Sequence, residues 1–278
     1  MREPEGNIAI AIRATSQLPR ERAWRVVAPL LLGAACLAGW EAWVRLGEVP
    51  EYKLPAPTAI LATLRAEWPT LSAAWLVTVK TTLVALAAAV IIGVALAVLF
   101  ASSRIVEISL FPYAVMLQVT PLVAVAPFIV IWIGWERVWL TQLVCAWIVA
   151  FFPIVSNTAM GLRSADRGTR DLFALYNATA WQRLRLLLAP SALPYFLAGL
   201  KVSANLALVG AVVAEFVIGT QVDNPGLASM IFESQLRSDT ATMFAALALV
   251  SLTGIATFFI MQGLSFALLR RWHESALE

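Results

Sequence analysis

An all-α, polytopic membrane protein with six transmembrane helices is the fold class the sequence predicts, on three observations. Hydrophobic residues make up 60% of the 278 and charged residues only 13%, where soluble domains carry about a quarter. Four stretches hold no Asp, Glu, Lys or Arg: Thr81 to Ser103, Ile108 to Trp135, Val138 to Leu162 and Thr240 to Leu269. Each exceeds the roughly 20 residues that cross hydrocarbon as a helix. These runs are apolar on every face, whereas barrel strands alternate polar and apolar residues, which selects helices.

Taken in order, the chain opens with an arm over residues 1–23 and a first span, Val26 to Val44, holding Glu41 near one end. A cleaved signal peptide is the poorer reading of this start, because the apolar run continues past Cys36 and the chain stays apolar afterward. Span two follows Lys80, which enters as an interfacial residue. Spans three and four carry Pro112, Pro121, Pro127 and Pro153, each of which removes a donor and predicts a kink. Span five, Ser191 to Gly219, contains Lys201 and Glu215, 14 residues apart. On one ideal helix that is about 21 Å, too far for the two to pair. The outer segment Thr220 to Asp239 has the turn Asp223-Asn-Pro-Gly226 and a short amphipathic stretch before span six.

Basic residues set the orientation. With the amino terminus inside, the cytoplasmic side receives 13 arginines, among them Arg2, Arg13, Arg20, Arg22, Arg25, Arg104, Arg270 and Arg271, and the outer side five basic residues. Both termini and the polar segment Arg163 to Pro190 are therefore expected in the cytoplasm. The expected organisation is a cytoplasmic arm at 1–23, a transmembrane domain at 24–272 with a cytoplasmic loop at 163–190, and a tail at 273–278. A pI of 9.1 then reports topology and contact with membrane lipid headgroups, with no nucleic acid as partner.

Enzyme chemistry finds little footing. There is no GxxxxGK[ST] loop, no HExxH, and the single histidine is His273, so neither a nucleotide site nor a metal centre is expected, and no cofactor. Cys36 and Cys145 lie on different spans without a CxxC pattern and read as small hydrophobes.

The polar segment is built to fold. Thr169 is expected as the N-cap of a helix with Asp171 in its first turn, and Asn177 as its left-handed stop. Thr179-Ala-Trp-Gln182 matches a capping box that starts a second helix running toward Pro190. Leu172, Phe173, Leu175 and Tyr176 give the first helix an apolar face. An amphipathic helix lying on the inner leaflet is the alternative reading of that face.

These residues resemble the permease subunits of binding-protein-dependent ATP-binding-cassette importers, which carry a cytoplasmic Glu-Ala-Ala, three residues, Gly, nine residues, Ile, one residue, Leu-Pro. With Asp171 on the Glu position, Leu172 and Phe173 fall on the two Ala, Asn177 on Gly, Leu187 on Ile, Ala189 on Leu and Pro190 on Pro. The spacing holds throughout; only the proline is identical. Leu54-Pro-Ala-Pro-Thr58, Thr120-Pro-Leu-Val-Ala-Val-Ala-Pro127, Pro190-Ser-Ala-Leu-Pro194 and Gly210-Ala-Val-Val-Ala-Glu-Phe216 are similar to the nitrate, sulfonate and taurine branch, which also moves thiamine-precursor pyrimidines and riboflavin.

The resemblance implies a type I importer permease fold in the bacterial inner membrane. It also implies a separate ATPase subunit docked on the cytoplasmic loop, a periplasmic substrate-binding protein, and a second permease copy completing the pathway. The implied coupling surface is Asp171, Leu172, Phe173, Ala174, Asn177, Ala178, Thr179 and Pro190. The cargo leans toward a thiamine-precursor pyrimidine or similar compound; sulfonate, taurine or nitrate is the alternative within the family. Polar residues at membrane depth, Gln118, Thr120, Asn157, Ser203 and Asn205, with Glu215, are candidates for the pathway, and interhelical hydrogen bonding accounts for each equally well. An ion-coupled secondary transporter is the competing class; it calls for inverted repeats and a dense midplane ion site, and the sequence shows neither.

Overall fold

The fold comes from a computed structural model, which describes residues 5–219 and 224–270. Arg2, Arg271, His273, the tail at 273–278 and residues 220–223 at the start of the outer segment lie outside the described residues. No strand occurs among the described residues. Five helices are long and apolar enough to cross a membrane, and six spans result when one sharply bent pair counts as a single span. The chain divides into two compact units, Met1–Ala62 and Thr63–Glu278.

In the first unit, α1 (Glu5–Leu46) contains the apolar stretch Val27–Leu46. The acidic residue near its end is locally satisfied. Arg45 pairs with Glu41 one turn away, and Glu41 accepts from the Thr58 N–H at 3.1 Å and the Thr58 hydroxyl at 2.8 Å. Thr58 stands in the first turn of α2 (Pro57–Ala66), so a carboxylate meets exposed amides at a helix start that proline begins.

The second unit is a bundle. Its long members are α3 (Trp68–Ser102), α6 (Val138–Arg163), α9 (Ala189–Ile218) and α11 (Thr240–Leu269). Between α3 and α6 the chain forms α4 (Arg104–Val119) and α5 (Leu122–Ile133), which meet at 103°. The break falls at Thr120-Pro121, where Pro121 is the N-cap of α5 and the Thr120 hydroxyl turns back onto the Met116 carbonyl at 2.6 Å. The bend expected of span three is thus a corner at one of its three prolines. Span four is a single helix that runs through Pro153.

Close packing of α6 on α9 forms the centre of the bundle, and glycine makes it possible. A Cβ at Gly199 would sit 2.6 Å from the Pro153 carbonyl oxygen, one at Gly210 2.8 Å from the Ala146 Cα, and one at Gly161 2.8 Å from the Ala192 Cα. Ala146, Ala150, Ala204, Ala207 and Ala211 continue the seam, all fully buried. Where α3 joins, Leu86, Phe100, Phe151, Ile154 and Leu197 fill the remaining volume. Lys80 keeps its ammonium 5.4 Å from the centre of the Trp139 ring, an aromatic partner of the kind an interfacial lysine takes.

Candidate functional site

The polar segment after α6 forms the helix–turn–helix that the sequence predicts, with different boundaries. Its first helix is α7 (Arg167–Leu175), and the N-cap is Asp166, whose carboxylate accepts from the Thr169 N–H at 3.0 Å. Thr169 is therefore inside the helix and not its cap. Both residues are good caps; the carboxylate three positions before a free amide wins because it brings charge to the positive helix end. Asp171 consequently stands beyond the first turn, exposed, and the dipole interaction assigned to it belongs to Asp166.

The turn is as its chemistry requires. Asn177 has φ 48, and two hydrogen bonds close the helix, from the Asn177 N–H to the Ala174 carbonyl and from the Ala178 N–H to the Phe173 carbonyl, each 3.0 Å. That pair is a Schellman motif with Asn in the position glycine usually takes. Two residues on, Thr179 caps α8 (Ala180–Arg183) through a complete capping box: the Thr179 hydroxyl accepts from the Gln182 N–H at 3.2 Å, and the Gln182 side-chain oxygen accepts from the Thr179 N–H at 2.8 Å.

Beyond Arg183 the second helix runs toward Pro190 as expected and continues through it. Leu184–Leu188 form a π-helical turn that leads directly into α9, giving one helical run from Ala180 to Ile218. Proline lacks the N–H that would close onto the carbonyl four residues back; the wider turn absorbs that mismatch inside the helix instead of ending it.

The segment is tied to two spans. Arg170 of α7 donates to the carbonyls of Leu162 and Arg163, at 3.3 and 2.8 Å, and so caps the end of α6. The Ser164 hydroxyl donates to Gly161 at 2.8 Å and contacts the Ser191 carbonyl of α9 at 3.3 Å. Glu107 at the start of α4 pairs with both Arg104 and Arg163, adding a third element. None of Asp166, Arg170 or Ser164 was singled out by sequence; the signal available was Arg170, eight residues past the last apolar residue of span four.

The outward face of this joint is apolar. Leu172 is 50% exposed, Leu175 78% and Tyr176 77%. Leu172, Phe173, Tyr176, Ala178, Gln182 and Leu186 line a shallow depression of about 260 Å³. Ala174 and Thr179 are exposed beside it. Seven of the eight expected coupling residues thus belong to one capped unit, and Pro190 lies on the helical run that leaves it.

The six pathway candidates are dispersed. Gln118 and Thr120 are exposed at the α4–α5 corner, Asn157 and Asn205 are half-buried, and Ser203 and Glu215 have no exposed surface. Among the described residues no hydrogen bond joins any two of them. Asn157 spends its amide on the Pro153 carbonyl at 2.9 Å and stands against Gly199. Glu215 is an interhelical joint: its Oε2 accepts from the Thr78 hydroxyl of α3 at 3.0 Å and from the Ala228 N–H at 3.1 Å. Ala228 is the second residue of α10 (Leu227–Leu236), and Thr78 in turn accepts from the Leu227 N–H at 2.9 Å. A Cβ on Gly226 would overlap the Glu215 carboxyl, which explains the glycine ending the predicted turn. Thr78 is the partner sequence reading missed.

A bundle of membrane spans carrying a rigid, capped helix–turn–helix with an exposed apolar face is the architecture of a membrane transport subunit. The chain belongs to the family described as the binding-protein-dependent transport system inner membrane component, which matches residues 89–271. Among curated relatives, the formylaminopyrimidine transport permease protein ThiX of Halalkalibacterium halodurans is 32% identical over 253 residues, covering 90% of this chain and 97% of that protein. The riboflavin transport system permease protein RibX of Chloroflexus aurantiacus is 35% identical over 244 residues, 86% and 87% of the two chains. A crystal structure of an amino acid ABC transporter with histidines shares the fold, with a TM-score of 0.60 at 17% identity, covering 76% of this chain and 97% of that one. The chain is thus a multi-pass inner-membrane permease subunit of an ATP-binding-cassette importer, and not itself an enzyme. Its family works with an ATPase subunit and a substrate-binding protein.

Proposed function

We propose that this permease admits a small nitrogen heterocycle of the pyrimidine-precursor or flavin type, and that Arg163 to Pro190 is the joint through which a separate ATPase drives it. The observation carrying the coupling reading is the combination of an apolar face at Leu172, Leu175 and Tyr176 with a scaffold capped at both ends and hydrogen-bonded to α6 and α9. A connector that flexed would absorb an ATPase movement; a fixed one passes it to packed helices that switch between discrete arrangements. Asp171, Leu172, Phe173, Ala174, Asn177, Ala178 and Thr179 form the contact, with both termini and this face in the cytoplasm.

The substrate reading is supported by the two relatives above 30% identity, named for formylaminopyrimidine and riboflavin. Those named for nitrate and taurine stand at 26% over shorter stretches. Among the described residues the few charges within the spans form no cationic cage, in keeping with a neutral or aromatic cargo. A second copy of the chain completes the pathway.

Asn177→Val tests the joint, because a β-branched residue resists φ 48. Uptake should fall and ATPase co-purification weaken in membranes holding normal amounts of the variant, while Asn177→Gly keeps both. Full uptake by Asn177→Val would refute the coupling reading. For the cargo, calorimetric titration of the periplasmic partner with pyrimidine precursors, flavins, taurine and nitrate should show tight binding only for a heterocycle; tight binding of nitrate or taurine would overturn it.

A further inference from the structure

The end of the bundle that carries the helix–turn–helix also holds two adjoining clefts that the transport reading leaves unused. The first, about 460 Å³, is walled by Val94 and Val98 of α3, Thr158 of α6, and Leu193 and Phe196 of α9, with Trp181 and Arg185 also in its lining. The second, about 420 Å³, shares Val98 and Trp181 and adds Arg183 and Ser102. Trp181 is 67% exposed, and Arg183 and Arg185 are both exposed.

Chemistry along the clefts is graded. At one end are two arginines that form no ion pair with any described residue, unlike Arg104 and Arg163, which share Glu107. Beside them is a tryptophan, the residue that settles at headgroup level. Five residues in from Arg163, about 7.5 Å along α6, Thr158 is buried and its hydroxyl has no protein partner. The rest of the lining, including Val94, Val98, Leu193 and Phe196, is aliphatic or aromatic. From Arg185 to Phe196 is 11 residues, about 16 Å of helix, enough to lie along much of an acyl chain.

We propose that these clefts bind one anionic phospholipid, its phosphate held by Arg183 and Arg185, an ester carbonyl accepting from the Thr158 hydroxyl, and an acyl chain lying against Val94, Val98 and Phe196. The order cation, tryptophan, hydroxyl, hydrocarbon is the order of groups down a lipid molecule. A soluble anion would match only the arginines, and an apolar cargo only the walls. Because Arg183 precedes the π-helical turn that leads into α9 and Arg185 lies within it, a bound lipid would brace the point where the joint enters its span.

The test is native mass spectrometry of the full-length detergent-purified permease titrated with phosphatidylglycerol or phosphatidylcholine. Wild type should prefer phosphatidylglycerol. The double variant Arg183→Gln/Arg185→Gln, exposed and neutral to folding, should weaken phosphatidylglycerol binding by about 25-fold, roughly fivefold for each charge near an anionic headgroup, and leave phosphatidylcholine nearly unchanged. Val98→Trp should reduce both, and Thr158→Val should weaken both modestly. Undiminished preference in the double arginine variant would overturn the proposal. So would copies that cross-link to each other in membranes through cysteines placed at Val98 and Leu193, since a second chain would then fill the cleft. The readout is lipid binding alone, so loss of ATPase coupling would not imitate either result.

Discussion

Replacing Glu215 by alanine probes a buried carboxyl that joins α3, α9 and α10. Its carboxylate accepts from Thr78 on α3 and from the first turn of α10, and the residue has no exposed surface. Alanine removes both bonds and leaves a buried hydroxyl and a buried amide to find other partners. A buried donor left without its acceptor costs about 1–3 kcal/mol, so at about 1.5 kcal/mol apiece the two sum to about 3 kcal/mol. For a domain of this size about 2–4 °C accompanies each kcal/mol, which places the loss at roughly 6–12 °C in Tm.

Glu215→Gln separates the geometric role from loss of mass. The amide oxygen can still accept from Thr78 and Ala228, so this variant should lose less than half as much. Size-exclusion chromatography of the detergent-solubilised full-length protein after a series of heating steps reads both, and limited proteolysis between α9 and α10 reads whether α10 has come loose. If Glu215→Ala melts within 2 °C or so of wild type, against the roughly 6–12 °C expected, and α10 stays protected, the carboxylate does not hold α10 in place and the reasoning fails.

The remaining predictions concern the joint and the helix seam. Thr179→Ala should cost about 1 kcal/mol locally, seen as faster amide hydrogen exchange at Trp181 and Gln182 with the spans unaffected. Gly199→Val should cost about 1–3 kcal/mol by overpacking and lower the yield of monodisperse protein, because its Cβ would fall 2.6 Å from the Pro153 carbonyl. Gly263→Val, where nothing lies within 4 Å of an added Cβ, should change neither yield nor Tm. Asp166→Ala should destabilise α7 by about 1 kcal/mol, and Thr169→Val should cost less; equal effects would return the cap to Thr169.

Local chemistry was legible in the sequence where both partners lie within a turn or two. Thr179 with Gln182, and Asn177 at a left-handed stop, read correctly because each depends on backbone groups three or four residues away. The start of α7 did not, since Asp166 and Thr169 are both competent caps and only the folded chain decides which amide is free. That the second helix continues through Pro190 into span five was not legible, for a different reason. The missing N–H of Pro190 is visible in the sequence, but the wide turn that accommodates it is stabilised by burial of Leu187 against the bundle. Glu215 was legible as an expensive residue at membrane depth, yet its partner Thr78 is 137 positions away, and no periodicity connects them. The corner in span three was foreseen as a bend and not as a 103° break, because proline frequency alone does not say which of three prolines gives way.

These nonlocal features converge on one element. The helical run from Ala180 to Ile218 has 39 residues, about 58 Å at 1.5 Å per residue, against a hydrocarbon core of about 30 Å. It must therefore extend past the bilayer or tilt strongly within it. At one end it begins in the capping box of the joint, and near the other it holds α10 through Glu215. Between them Gly199 and Gly210 press it against α6 with no room for slack. Such a rod does not shorten or bulge in response to a push; it shifts as a body or bends at its one irregular turn, Leu184–Leu188. On the coupling reading, a movement delivered at Leu172 and Tyr176 reaches α10 through this single helix. The stiffness of the π-helical turn then decides how much of the movement arrives.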